Sequence, residues 1–177
     1  MSATTSSNVL SMASRLSVVF LLGLIASQAI DDVKEKEGIV RSLAVKEAIG
    51  KAGTILINEY NRIPKDQVNY GWVIGSTMYT VIVKEDVLSV LEIVSNKENG
   101  MSRQMFVMAL GKVKSEKERS EDVLICLLDD DEVASHALDA LGKLRSKKAA
   151  DKIRTLVNHE RSSIRKEAVK ALKRIEK

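Results

Sequence analysis

The sequence predicts an all-α fold, built as a stack of about five antiparallel helix pairs. Three observations carry this reading. The first is a phrase said three times at constant spacing: Ala109-Leu110-Gly111-Lys112-Val113, Ala140-Leu141-Gly142-Lys143-Leu144 and Ala171-Leu172-Lys173-Arg174-Ile175. The frame extends upstream through Val107, Leu138 and Val169, and through Phe106, Ala137 and Ala168. A period of about 20–50 residues is the mark of a stacked-repeat architecture. The second is composition. Aromatic residues are only 3%, and the chain is rich in Leu, Ala, Val, Lys and Glu, which are good helix formers. The third is the scarcity of breakers, with one proline in 177 residues.

The elements follow in order. Residues 1–8 are small and polar and read as a loose start. Arg15 precedes the apolar run 16–26, and small residues follow in Ser27-Gln28-Ala29. Two readings stand for this stretch. It has the form of a secretory signal or anchor over 15–29. It also serves as the divergent first helix of the stack, over 9–34, covering the apolar face of its neighbour. It is too short to span a bilayer, which takes about 20 apolar residues. Ile39, Val40, Leu43, Ala44 and Ala48 then share one helical face. Gly50 and Gly53 flank a bend, and a short helix runs through Ile55, Leu56, Ile57 and Tyr60. Asn61 to Asp66, with Pro64 inside it, stops that helix.

The stretch from Trp72 to Ile82 holds Thr77, Thr80, Val81 and Ile82, which favour strands in isolation. The repeat frame makes it a helix. Lys84-Glu85-Asp86 begins a helix through Val87–Val94, and Asn99-Gly100 marks a turn. From 101 onward the frame is clear: helices are expected over 101–114, through Val123–Leu128, and over 132–144, 149–158 and 162–176. Together these make a single domain over 1–177, with degenerate repeats over 35–83 and clear ones over 84–177. No helix pair buries its apolar face alone, so stacking forms the core. The repeated phrase itself reads as packing, its Ala and Leu facing the next repeat and its Gly allowing close approach.

The residues now resemble a known family. Leu127-Leu128-Asp129-Asp130-Asp131-Glu132-Val133 with Ala137 and Ala140-Leu141-Gly142 is similar to HEAT repeats of the armadillo-like class, including their phycobilisome-lyase-like subgroup. Ile164-Arg165 with Ala168, Ala171 and Leu172 repeats the pattern, as does Arg103 with Ala109-Leu110-Gly111. The resemblance is good over 84–177 and weaker over 35–83. It implies a right-handed α-α superhelix, a solenoid whose inner helices line a concave groove. It also implies a protein-binding scaffold rather than a catalyst. The Asp–Pro that the family places between its paired helices is missing here, and the turn between Leu128 and Val133 is short. Curvature therefore does not follow from the resemblance.

One frame position reads Arg41, Trp72, Arg103, Ala134 and Arg165. Two roles fit it. The resemblance to HEAT repeats implies that such a basic residue pairs with an acid of the adjoining turn in an internal ladder. Alternatively the position forms a basic and aromatic stripe on the concave face, since Arg and Trp are enriched at binding hot spots. The candidate partner-binding stripe is Arg41, Trp72, Arg103, Gln104, His136, Arg165 and Lys166.

Other chemistry finds no motif. His136 and His159 lie on different units, without the Cys/His/Asp cluster of a metal site. The run Asp129–Glu132 lacks the loop glycine and distal glutamate of a calcium loop and reads as a helix-capping turn. Gly71 and Gly75 make no phosphate loop. The lone Cys126 sits in the apolar run Val123–Leu128 and reads as a buried core thiol, suited to a reducing compartment. No cofactor, metal or catalytic set is expected.

The net charge of +4 is uneven: the stretch 161–177 holds seven Lys and Arg against two acids. That basic end serves a solvated helix face or an acidic partner. Nucleic acid is the alternative partner, through the basic C-terminal pairs, but few aromatics are present for stacking and acids interrupt the basic strip. The expectation is a cytoplasmic, non-enzymatic protein that binds the acidic surface of another protein, as an inhibitor, immunity-type or accessory protein. Export or anchoring is the alternative if 15–29 is a signal.

Overall fold

The computed structural model describes residues 17–177. The polar start and Arg15 lie outside these residues. Among the described residues there are ten α-helices and no strand. They are α1 (17–26), α2 (Val33–Ser42), α3 (Gly53–Arg62), α4 (Val68–Val81), α5 (Val87–Ser95), α6 (Gln104–Leu110), α7 (Lys117–Cys126), α8 (Ala134–Leu144), α9 (Ala150–Thr155) and α10 (Ser162–Ile175). Short 3₁₀ turns precede or extend most of them.

The helices form two layers. Helices α2, α4, α6, α8 and α10 pack one against the next as an inner layer. Helices α3, α5, α7 and α9 each pack on their inner neighbour from the other side. The core runs the length of the stack, from Val18, Leu22 and Ile25 of α1 through Leu56, Ile74, Phe106, Leu110 and Leu141 to Ala171 and Ile175. The described part of the N-terminal apolar run thus packs as the first helix of the stack. Its Val19 and Phe20 are exposed.

The repeated phrase packs as its residues dictate. Ala109, Leu110, Ala140 and Leu141 are fully buried. A methyl group on Gly111 would lie 2.7 Å from the Cα of Ala140, and one on Gly142 3.0 Å from the Cα of Ala171. The missing Cβ is what lets α6 meet α8, and α8 meet α10, backbone to backbone.

Helix boundaries differ from the sequence expectation where the chain tightens. The face from Ile39 to Ala48 is not one helix. It ends at Ser42, and extended Val45 leads into a 3₁₀ turn over Lys46–Ala48. The helix expected over 101–114 is α6 alone, because Lys97–Arg103 forms 3₁₀ turns kinked at Gly100. The β-favouring residues of α4 are helical, since packing on two sides outweighs local preference.

Cys126 is exposed, not buried. It follows the buried Leu124 by two positions, about 200° around the helix. The run Val123–Leu128 is apolar on every face, so it carries no period that separates inside from outside.

Register changes between α2 and α4. Gly75 meets Phe106, its equivalent one full repeat further along. The Thr77 hydroxyl instead donates to the Val40 carbonyl (2.9 Å), which lies more than one repeat back. A polar knot holds this end of the stack. Glu59 of α3, 1% exposed, accepts hydrogen bonds from Gln28 (2.9 Å), Lys36 (3.1 Å) and the Tyr70 hydroxyl (3.1 Å). Burial pushes its carboxyl upward. The three donors outweigh that and hold it below the usual carboxylate range.

Candidate partner-binding groove

On each inner helix the residues that do not enter the core recur every three or four positions. They are Trp72, Ser76 and Tyr79 on α4; Gln104 and Met108, with Lys112 just beyond, on α6; Ser135, His136, Asp139 and Lys143 on α8; and Ser163, Lys166, Glu167, Lys170 and Arg174 on α10. These four rows lie side by side on the face of the inner layer. Between α6, α8 and α10 they enclose a cleft of about 480 Å³, lined by Met108, Ser135, His136, Asp139, Ser162, Ser163, Lys166 and Glu167.

Contacts on this face reach beyond nearest-neighbour helices. The Lys143 ammonium of α8 donates to the Tyr79 hydroxyl of α4 at 2.9 Å, passing over α6. Two ordinary helix-packing steps separate α4 and α8 by roughly 16–20 Å. Two long side chains leaning toward each other over α6 close that span.

A chain of charged contacts runs along one edge of the groove. The Lys112 and Lys143 ammonium groups lie 4.7 and 4.9 Å from the centre of the Tyr79 ring. Asp139 then receives Lys143 at 2.6 Å and Arg174 at 2.8 Å. Burial raises the Asp139 carboxyl, but its bonds from Arg174 and Lys143 outweigh this and hold it below its ordinary value. Burial also lowers the Lys143 ammonium, but its bonds to Asp139 and Tyr79 outweigh that and hold it above its ordinary value. His136, mainly through burial, is held below the usual imidazole value despite Asp139 and Glu167 nearby. It is therefore neutral near pH 7.

The structure sorts the seven stripe candidates into two groups. Trp72, Gln104, His136 and Lys166 lie on the groove rows. Trp72, the one tryptophan in the chain, is 37% exposed. Gln104 also reaches the Glu132 carbonyl of the next repeat (2.8 Å). The three arginines do not join them. Arg103 is 1% exposed and donates to the carbonyls of Gly100 (3.0 Å) and Val94 (2.9 Å) and to Asp130 (2.5 Å). This is the internal-ladder geometry, tying one repeat to the acidic turn of the next. Arg165 donates to the carbonyls of His159 (2.8 Å) and Glu160 (2.7 Å), bracing the turn before its own helix. Arg41 is exposed at the end of α2, 3.9 Å from Glu37. The slip in register between α2 and α4 removes it from the level of Trp72.

Sequence reasoning missed Tyr79, Lys112, Asp139, Lys143 and Arg174. The signal was present. Lys112, Lys143 and Arg174 are basic residues of the repeated phrase itself, one to each copy. Read as packing, the phrase hid a cationic row on the opposite side from its Ala and Leu. Among the described residues no three His, Cys, Asp or Glu side chains gather as a metal site. None of the described helices is long and apolar enough to cross a membrane.

Two layers of helices stacked around a continuous core define the class: an α-solenoid repeat protein. The family model of HEAT repeats matches residues 120–177, the C-terminal third of the chain. In overall shape the chain is similar to an engineered protein of known crystal structure, with a TM-score of 0.59 and 18% identity over 89% of this chain and 78% of that one. That likeness speaks to the fold alone. No curated protein matches the chain in sequence.

Proposed function

We propose that this protein is a non-enzymatic interaction scaffold that holds a partner protein in the concave groove of its inner helices. The observation that carries the reading is the groove itself. Four successive inner helices present one continuous surface with a half-exposed tryptophan at one end and a cleft lined by Met108, His136 and Lys166 at the other. A solenoid offers such an extended surface without help from loops. A rigid aromatic anchor beside charged neighbours is the composition of a protein-binding hot spot. HEAT repeats in general serve protein association, which agrees with this assignment.

The test is retention of a captured partner. The wild-type chain is used as bait in native lysate with nuclease present, and the retained protein is purified. Binding is then measured against Trp72→Ala combined with Lys166→Glu. Both side chains lie on the groove, and neither has an ion pair among the described residues. The expected result is a loss of at least tenfold in affinity with the melting temperature close to that of wild type. Undiminished affinity overturns the groove reading. If nuclease abolishes retention, the partner is nucleic acid and the scaffold reading falls.

A further inference from the structure

We infer that Lys112, Lys143 and Arg174, gathered around Tyr79 and Asp139, form a carboxylate-binding row that seats an acidic polypeptide segment in the groove. The inference rests on the groove reading above and names the chemistry of its occupant.

Four observations support it. The first is periodic placement. Basic residues from the same phrase of three successive repeats fall on the same edge of the concave face. Cations placed for solubility alone need no common register. The second is convergence. Lys112 and Lys143 lie 4.7 and 4.9 Å from the centre of one tyrosine ring. Bringing two ammonium groups to one ring carries a repulsive cost, which the ring and a neighbouring carboxylate only partly offset. An incoming anion completes the balance.

The third is incomplete pairing. Asp139 serves both Lys143 and Arg174, and Lys112 has no carboxylate partner among the described residues. Across the groove rows, Lys112, Lys143, Lys166, Lys170 and Arg174 face only Asp139 and Glu167. The surface therefore carries a cationic excess over three adjacent repeats. The fourth is preorganisation. The Lys143 head is fixed by Tyr79 and Asp139 and is only 27% exposed, so little freedom is lost when a ligand carboxylate arrives.

The same geometry favours a polypeptide over nucleic acid. A single strand tracks a basic groove while its bases stack on open aromatic faces. Here the Tyr79 ring is occupied by ammonium groups, Trp72 alone among the aromatic rings of the rows stands open, and Asp139 and Glu167 interrupt any phosphate track. Separate carboxylates, spaced along a segment so that they alternate with those two acids, suit the row better than a continuous polyanion.

The experiment uses the full chain and a short fluorescein-labelled peptide, rich in Glu with Leu on one face. Binding is read by anisotropy and by the emission of Trp72. The wild type is expected to bind, and Lys112→Gln with Lys143→Gln to weaken binding at least tenfold. Lys112→Gln alone, which disturbs no ion pair among the described residues, is expected to weaken it about threefold. Lys148→Gln, outside the groove rows and paired with Asp122, serves as the control and is expected to change nothing. Equal binding by the double variant and the wild type overturns the inference, as does equal loss in the control. Tighter binding of a labelled oligothymidylate through the same two lysines also overturns it.

The purified partner from the previous test separates this inference from the reading beneath it. Partner binding lost with Trp72→Ala and Lys166→Glu, but untouched by the lysine pair, leaves the groove standing and removes the carboxylate row. Partner binding insensitive to both sets removes both.

Discussion

Replacing Arg103 by methionine tests how adjacent repeats are locked together. The guanidinium is buried, and its partners are two carbonyls of its own repeat and, in the turn of the next, Asp130 with Glu132 further off at 3.6 Å. Methionine fills the space of the stem but supplies no donor. It leaves the Val94 and Gly100 carbonyls short of a partner and Asp130 as a half-shielded charge. Hydrogen bonds to charged groups contribute about 1.5–3 kcal/mol each, and breaking a buried pair from one side costs about 3–5 kcal/mol. These figures overlap rather than add, so the expected loss is about 3–5 kcal/mol. For a chain of this length each kcal/mol moves the melting temperature by roughly 2–4 °C, giving a fall of roughly 6–20 °C.

The assay is equilibrium urea unfolding followed by circular dichroism, with Arg103→Met, Asp130→Asn and the double variant closing a cycle. A coupling energy above about 1 kcal/mol is expected, because the two groups touch. The pH dependence gives a second readout. Burial raises the Asp130 carboxyl, but Arg103 and the Glu132 backbone outweigh it, so its folded value lies below its unfolded one. The stabilisation is therefore complete above the unfolded aspartate value and is lost as pH falls through the folded one. Arg103→Met should flatten that acid limb. An unchanged melting temperature, with no coupling to Asp130, refutes the ladder.

Further predictions concern sites elsewhere in the stack. Gly111→Ala should cost about 1–3 kcal/mol by forcing α6 from α8, whereas Gly38→Ala, whose added methyl meets nothing in α2, should stabilise by about 0.5–1 kcal/mol; paired urea titrations check both. Glu59→Gln should destabilise by about 3 kcal/mol. It should also remove a stability loss that the wild type shows on acidification below about pH 4.5, since the folded carboxyl is held low; melting temperature against pH reads this. Cys126 should react with a disulfide reagent to one equivalent in the native protein without denaturant, and a silent thiol would contradict its exposure.

The groove divides clearly between what periodicity reveals and what it hides. The Ala, Leu and Gly of the repeated phrase gave away their packing role, because a small residue recurring at one repeat position has few other uses. The basic residues of the same phrase recurred with it. Their meaning depends on which way the helix faces, and three lysines or arginines at helix ends also suit the macrodipole. Arg41, Arg103 and Arg165, set at every second repeat, show the reverse. Their type and spacing suggested a surface, but Arg103 lies where the acidic turn of the next repeat closes over it. Burial of a long cationic side chain follows from its neighbours, and those come from a different repeat.

The sequence by itself determined the architecture: the fixed period, the helix formers and the sparse breakers require stacked helix pairs, because no single pair can bury its apolar face. The location of each helix followed to within a turn wherever hydrophobic spacing was clean. Only the tertiary structure decided the register slip at α2, the exposure of Cys126 and the convergence of Lys112, Lys143 and Tyr79. These depend on curvature and on the rotation of each helix about its axis, and both are set by small backbone approaches, such as Gly111 on Ala140, that act between repeats.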